Sequence, residues 1–223
     1  MRNVPVKSVV AAFALVGLSS LALAVPVKER ELDWVLKRTP DPTKGAQLYE
    51  TCAACHGDTG QGATDGSVPA IGGQHFMVLA KQLVDFRAGS RMHEQMRHFS
   101  DSTHLAYSQY VADVAAYISR LPAPEPQAND SPESNEDAAK LYAHDCARCH
   151  GEMAEGRGDE LAPRLAAQHS RYTIQQLQNA TTGQRSGMEH THAAIVKKLT
   201  AKDIAAVAAF LSSLPASSAE GSQ

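Results

Sequence analysis

Cys52-Ala53-Ala54-Cys55-His56 is followed 94 positions later by Cys146-Ala147-Arg148-Cys149-His150, and these two pentapeptides hold all four cysteines of the 223-residue chain. C-x-x-C-H is the attachment signature of c-type haem. Its two thiols add across the haem vinyl groups, and the His after the second Cys reaches the iron. Two copies therefore predict two haem c groups, one on Cys52 and Cys55 and one on Cys146 and Cys149. Other uses of the cysteines explain less. A Cys52–Cys55 disulfide gives neither adjacent His a role. Structural zinc closes with four ligands at short spacings, which pairs this far apart do not offer. A thioredoxin-like pair follows a strand, and the residues before Cys52 read as helix.

The repeat extends well beyond the motif. At an offset of 94, Gly57, Gly62, Pro69, Gln74 and His75 match Gly151, Gly156, Pro163, Gln168 and His169, and Gly89-Ser90-Arg91 matches Gly183-Gln184-Arg185. The offset then becomes 93, so that Val114–Ser119 matches Val207–Ser212 and Leu121-Pro122 matches Leu214-Pro215. Two copies are too few for a stacked array, and they read instead as two homologous domains. Pro122, Pro124, Pro126 and Pro132, with Asn129, Asp130 and Ser131, form the linker between them. Each unit is small for an unaided core, and a covalently held haem supplies apolar contact area.

Three helices are expected per domain: Lys44–Cys55, His75–Arg87 and Ser108–Arg120 in the first, Asp137–Cys149, Ser170–Thr181 and Thr200–Ser213 in the second. Asp41-Pro42 supplies an N-cap followed by Pro at the first helical position. Gly89 and Gly183 stand where a left-handed C-cap is expected. Thr200 and Asp203 make a capping box with Asp in place of Glu, and Ile204, Val207, Ala208 and Leu211 share one helical face. No stretch reads convincingly as a strand, and Gly57–Gly73 reads as an irregular loop.

The N-terminus reads as a targeting segment. Arg2 and Lys7 precede the apolar run Val9–Ala24, and Ala22-Leu23-Ala24 fits a small-x-small cleavage site. The run falls short of the roughly 20 residues that span a bilayer, which favours a cleaved signal peptide over an anchor. Nothing later resembles a transmembrane helix. The formal net charge is −3, and no basic run points to nucleic acid. Local patches, and not this mild acidity, would steer docking.

Each half resembles a class I cytochrome c, with an N-terminal helix, C-x-x-C-H, a Pro-x-Leu-like segment, a distal Met and a C-terminal helix. The duplicated plan, with Gln-His after the Pro segment and Gly-x-Arg before the distal Met, is similar to the two-haem cytochrome c4 family over residues 42 to 215. That resemblance implies an all-α fold of two tandem class I cytochrome c domains, each wrapping one covalently attached haem. The division is a signal peptide over 1–24, an extension over 25–40, domains over 41–122 and 135–216, a Pro-rich linker over 123–134 and a tail over 217–223. It also implies attachment of haem outside the cytoplasm, in the periplasm of a bacterium.

The resemblance further implies that His56 and His150 are the proximal iron ligands, and that the carbonyls of Pro69 and Pro163 fix their tautomers. Met188 is the distal candidate of the second domain, since Met153 lies too close to His150 to cross the haem. In the first domain Met92 and Met96 both follow Gly-x-Arg. Met96 fits the family's short polar insert before the ligand and is preferred. His93, His98, His104, His190 and His192 flank the distal segments, as surface residues or as rival ligands. Arg91 and Arg185 suit haem propionates or form a surface charge pair. Gln74-His75 and Gln168-His169 begin helices, and Trp34 docks on the first domain or on a partner.

The function implied is that of a periplasmic electron carrier with two His/Met haems. Its partners would be redox proteins, a respiratory donor and a terminal oxidase or reductase, with possible peripheral membrane association. The alternatives are a cytochrome subunit of a membrane-bound oxidoreductase complex and a dihaem peroxidase, which needs one open iron site.

Overall fold

The computed structural model describes residues 27–127, 136–188 and 190–216. The expected signal peptide, the middle of the linker, the C-terminal tail and the His190 side chain lie outside the described residues. Ten helices run along these residues. The first half contains α1 (Val27–Leu36), α2 (Pro42–His56), α3 (Phe76–Arg87), α4 (Glu94–Ser100) and α5 (Ser108–Arg120). The second contains α6 (Glu136–Asp145), α7 (Ala147–His150), α8 (Ser170–Thr181), α9 (His190–Val196) and α10 (Ala201–Ser213). Among the described residues there is no strand, only an isolated antiparallel bridge between Arg157 and Ala162. None of these helices is long and apolar enough to cross a membrane.

Local chemistry sets the helix ends. The Asp41 carboxylate accepts from the backbone N–H groups of Thr43 and Lys44, with Pro42 at the first helical position. Thr200 and Asp203 close a reciprocal capping box at α10. Gly89 and Gly183 follow α3 and α8 with φ of 72° and 78°, a region that side chains with a Cβ enter only under strain.

Two cores result. In the first half, Val111, Val114, Ala115 and Ile118 make the buried stripe of α5 and pack with Tyr49, Leu79 and Val84. α2 and α5 cross at Gly45, where a Cβ would lie 2.2 Å from the Asp113 carbonyl oxygen. In the second half, Val207 and Leu211 of α10 pack on Tyr142, Ala154 and Ala166. The α1 helix, which the sequence does not announce, seats Val35 in the first core and leaves Trp34 54 % exposed.

One expected helix is broken. Asp137–Cys149 was to be continuous, but Cys146, with φ −118°, separates α6 from α7. Leu48-Tyr49 and Leu141-Tyr142 stand 93 residues apart, whereas the cysteine pairs stand 94 apart, so the second copy holds one extra residue before its cysteines. Both tyrosines nevertheless reach the same place. Tyr49 donates to the Gly57 carbonyl and Tyr142 to the Gly151 carbonyl, each at 2.6 Å. The kink at Cys146 takes up the surplus residue while keeping that anchor.

Candidate haem sites

Each C-x-x-C-H closes a helix, so its three functional side chains ride on one or two turns. His56 ends α2 and His150 ends α7, and both are buried, at 6 % and 7 % exposure. Each ring is held from a loop 13 residues on. His56 Nδ1 lies 3.0 Å from the Pro69 carbonyl oxygen, and His150 Nδ1 lies 2.9 Å from that of Pro163. A carbonyl can only accept, so Nδ1 carries the proton and Nε2 keeps its lone pair for a metal. Burial holds both imidazoles below the usual histidine range, although the carbonyl bond pulls the other way. Cys52 and Cys146 are half-buried and Cys55 and Cys149 exposed; burial pushes the Cys52 and Cys146 thiols up to about 11.

The two sites meet across an approximate two-fold interface. Gln74 donates to the Arg164 carbonyl at 3.0 Å and accepts from the Arg164 N–H at 2.9 Å. Gln168 does the same to Ala70, at 2.8 and 3.0 Å. His75 Nε2 bonds the Glu155 carbonyl and His169 Nε2 that of Gln61, both at 2.9 Å. The Gln-His pairs thus begin helices and also join the domains. The repeat shows that these residues recur; nothing in it shows that each bonds the opposite copy. Arg164 breaks the symmetry, because Ala70 stands in the equivalent position. Its guanidinium donates to the Gly72 and Gly73 carbonyls at 2.6 and 2.5 Å, and burial lowers it to about 10.

A second pseudo-symmetric set lies nearby. Arg91 donates to Gln82 at 2.6 Å and to Gln176 at 3.1 Å, and it also bonds the Tyr172 hydroxyl oxygen. Arg185 donates to Gln176 at 3.2 Å and Gln82 at 3.1 Å. The surface charge pair considered for these arginines is therefore wrong: Arg91 is 9 % exposed and Arg185 half-buried. Burial, and after it the neighbouring Arg91 charge, lowers Arg185 to about 10. These hydrogen-bond partners are all neutral, so two cations face each other at the interface. Anions brought by a haem, its propionates, fit that charge. With buried, tautomer-fixed imidazoles beside paired thiols, the residues present suit the group.

The distal segment is helical in the first domain and precedes a helix in the second. Met96 lies half-buried in α4, and its N–H is capped by His93 Nδ1 at 3.3 Å. Met92 is 63 % exposed, and its N–H bonds the Gln184 carbonyl of the other domain at 2.7 Å. Met188 lies half-buried just before α9, following Gly187, whose N–H bonds the Ser90 carbonyl at 2.9 Å. His192 of α9 sets its ring 5.8 Å from that of His150, at 71°. His98 and His104 meet edge to face, with ring centroids 4.6 Å apart at 76°. Met153 is 52 % exposed, at the surface.

The sequence model of the cytochrome c family matches residues 42–122 and 135–215. The chain is 31 % identical over 195 residues to a cytochrome c4 of Azotobacter vinelandii, covering 78 % of this chain and 89 % of that one. It is 36 % identical over 189 residues to a cytochrome c4 of Thiocapsa roseopersicina, covering 78 % and 93 %. The crystal structure of reduced recombinant cytochrome c4 from Pseudomonas stutzeri superposes with a TM-score of 0.71 at 28 % identity, covering 79 % of this chain and all of that one.

Proposed function

Since the chain belongs to the cytochrome c4 group of the cytochrome c family, a dihaem electron carrier with two covalently bound haem c groups, we propose that it works in the periplasm. There it passes single electrons from a respiratory donor to a terminal oxidase or reductase. The N-terminal targeting pattern supports the compartment. Each bound haem supplies one reversible one-electron centre.

The residues divide the work. Cys52 with Cys55, and Cys146 with Cys149, hold the haems covalently. His56 and His150 present Nε2 as proximal ligands, and Met96 and Met188 supply the distal sulfur. Thioether sulfur with imidazole raises the reduction potential. Two protein ligands per iron leave no site for substrate, which argues for a carrier over a peroxidase. Arg91 and Arg185 offset the propionate charge. The partners are redox proteins that dock on the surface, with peripheral membrane association where the acceptor is a membrane complex.

The observation that carries this reading is the doubled His–Pro bond, which fixes both imidazoles for a metal in the same way. Spectroelectrochemical titration of the purified protein tests it. Two one-electron steps with low-spin spectra are expected. A high-spin haem with rapid peroxide turnover would replace the carrier by an enzyme. One observation favours a second ligation in domain 2: the His192 ring faces His150, which suits a bis-His haem of lower potential.

A further inference from the structure

The C-terminal end of α4, two residues past Met96, and the turn that follows it carry His98-x-x-Asp101-x-x-His104. One ring nitrogen of each imidazole and one carboxylate oxygen lie within 4.8 Å of one another. His98 Nδ1 is 3.9 Å from Asp101 Oδ2, and His104 Nδ1 is 3.6 Å from Asp101 Oδ1. We propose that these three side chains form a binding site for a divalent cation of the zinc class, with the fourth position open to water or to an exogenous ligand.

The donor set matches that chemistry, since two imidazoles and a carboxylate with an open position is a common arrangement for Zn²⁺. Bonds of roughly 2.0–2.2 Å put tetrahedral donors about 3.3 Å apart. The observed spacing is slightly wider, and a turn of the exposed His98 side chain closes it. His104 Nδ1 also lies 3.1 Å from the His98 carbonyl oxygen. That nitrogen also stands beside Asp101 Oδ1, so on binding it exchanges this hydrogen bond for a bond to the metal, with its ring already turned towards the carboxylate.

The turn that carries the donors is braced from below. Arg87 donates through Nε to the Ser100 carbonyl at 2.8 Å and through Nη2 to the Leu105 carbonyl at 2.6 Å, and it pairs with Glu31 of α1. These carbonyls flank Asp101–His104 on both sides, so the backbone of the site is fixed before any ion arrives. Asp101 Oδ1 is further held by the Thr103 N–H at 2.8 Å, with Oδ2 towards His98. The haem fold does not require the cluster. At the repeat offset of 93 the equivalent residues are Thr191, Ala194 and Lys197. A bound cation would tie the end of α4, which carries Met96, to the turn that enters α5.

Isothermal titration of the two-haem holoprotein with Zn²⁺ tests the site, alongside H98Q, H104Q and the exposed control H144Q. One zinc per chain is expected, with affinity lowered at least about tenfold in H98Q and H104Q and unchanged in H144Q. Zinc should also raise the unfolding temperature of the natural protein and not that of H98Q. The haem spectrum of each variant reports that it has folded. Absence of one-to-one binding, or a site that survives both His98→Gln and His104→Gln, overturns the proposal.

Discussion

Gln168 grips the peptide of Ala70 with both ends of its amide, accepting from the N–H at 3.0 Å and donating to the carbonyl at 2.8 Å. Ala70 follows Pro69, whose carbonyl holds His56. A residue of the second domain thus steadies the proximal ligand of the first. Gln74 returns the relationship through Arg164, which follows Pro163. Gln168→Ala should therefore shift the potential of the first haem more than that of the second, and Gln74→Ala the reverse. Each variant loses two largely shielded hydrogen bonds, a loss of about 2 kcal/mol. Redox titration resolved into two waves, with urea unfolding beside it, reads both effects. Equal shifts of the two waves would show that the clasps only join the domains.

Asp85 ties three elements together. Its carboxylate is almost wholly buried, pairs with Lys28 of α1 at 2.7 Å and with Lys81 of its own helix, and accepts from Ser90 at 2.9 Å. Burial alone would raise its pKa; the bonds and charges of Lys28 and Lys81 outweigh burial and hold the carboxyl below the usual range. A folded pKa below the unfolded value of about 3.9 means that its stabilisation is complete above about pH 4 and is lost as pH falls through the folded value. Asp85→Asn should lower stability at pH 7 by about 3 kcal/mol and flatten the acid limb of the curve. Unfolding temperatures of the two proteins from pH 7 to pH 3 should converge. A constant gap across that range would contradict the linkage.

Gly45 sets how closely α2 and α5 approach. A Cβ there would meet the Asp113 carbonyl oxygen at 2.2 Å and the Tyr117 Cβ at 2.8 Å. The helices must part to admit it, so Gly45→Ala should destabilise the first domain by about 1–3 kcal/mol. In the second domain Ala138 stands at this point of the repeat, 2 % exposed. There the reverse change, Ala138→Gly, should cost only about 1 kcal/mol. Chemical unfolding followed at each haem separates the two. Equal effects would mean that the crossing distance is the same in both copies.

The legibility of the chain tracks how local each signal is. Helix ends were plain because Asp41-Pro42, Thr200 with Asp203, Gly89 and Gly183 act within one turn of themselves. The proximal bonds of His56 and His150 to Pro69 and Pro163 were expected from the family resemblance and not from the chain's own pattern, and the structure shows both. The domain interface was not legible. Gln74, Gln168, Arg91 and Arg185 recur in register, but recurrence gives equivalence and not which copy each side chain touches. The α1 helix was missed because only Val35 is fully buried on an otherwise polar stretch. The Cys146 break was missed because the motif fixes the offset at 94, which hides the 93-residue spacing of Tyr49 and Tyr142.

The distal ligands give the last prediction. A His/Met haem carries a weak far-red band in its oxidised form that depends on the iron–sulfur bond. Met96→Leu should remove the first haem's share of that band and lower its potential, because the soft sulfur favours the ferrous state. Met92→Leu should leave the band intact, since Met92 is exposed and its backbone is engaged at the Gln184 carbonyl. In the second domain Met188 and His192 compete. If Met188 ligates, Met188→Leu removes the remaining band and His192→Gln leaves it. If His192 ligates, as its ring 5.8 Å from His150 permits, the natural protein shows the band for one haem only. His192→Gln then raises the potential of the second haem as sulfur replaces imidazole. Absorption spectra of the four variants, read with two-wave redox titrations, separate these outcomes.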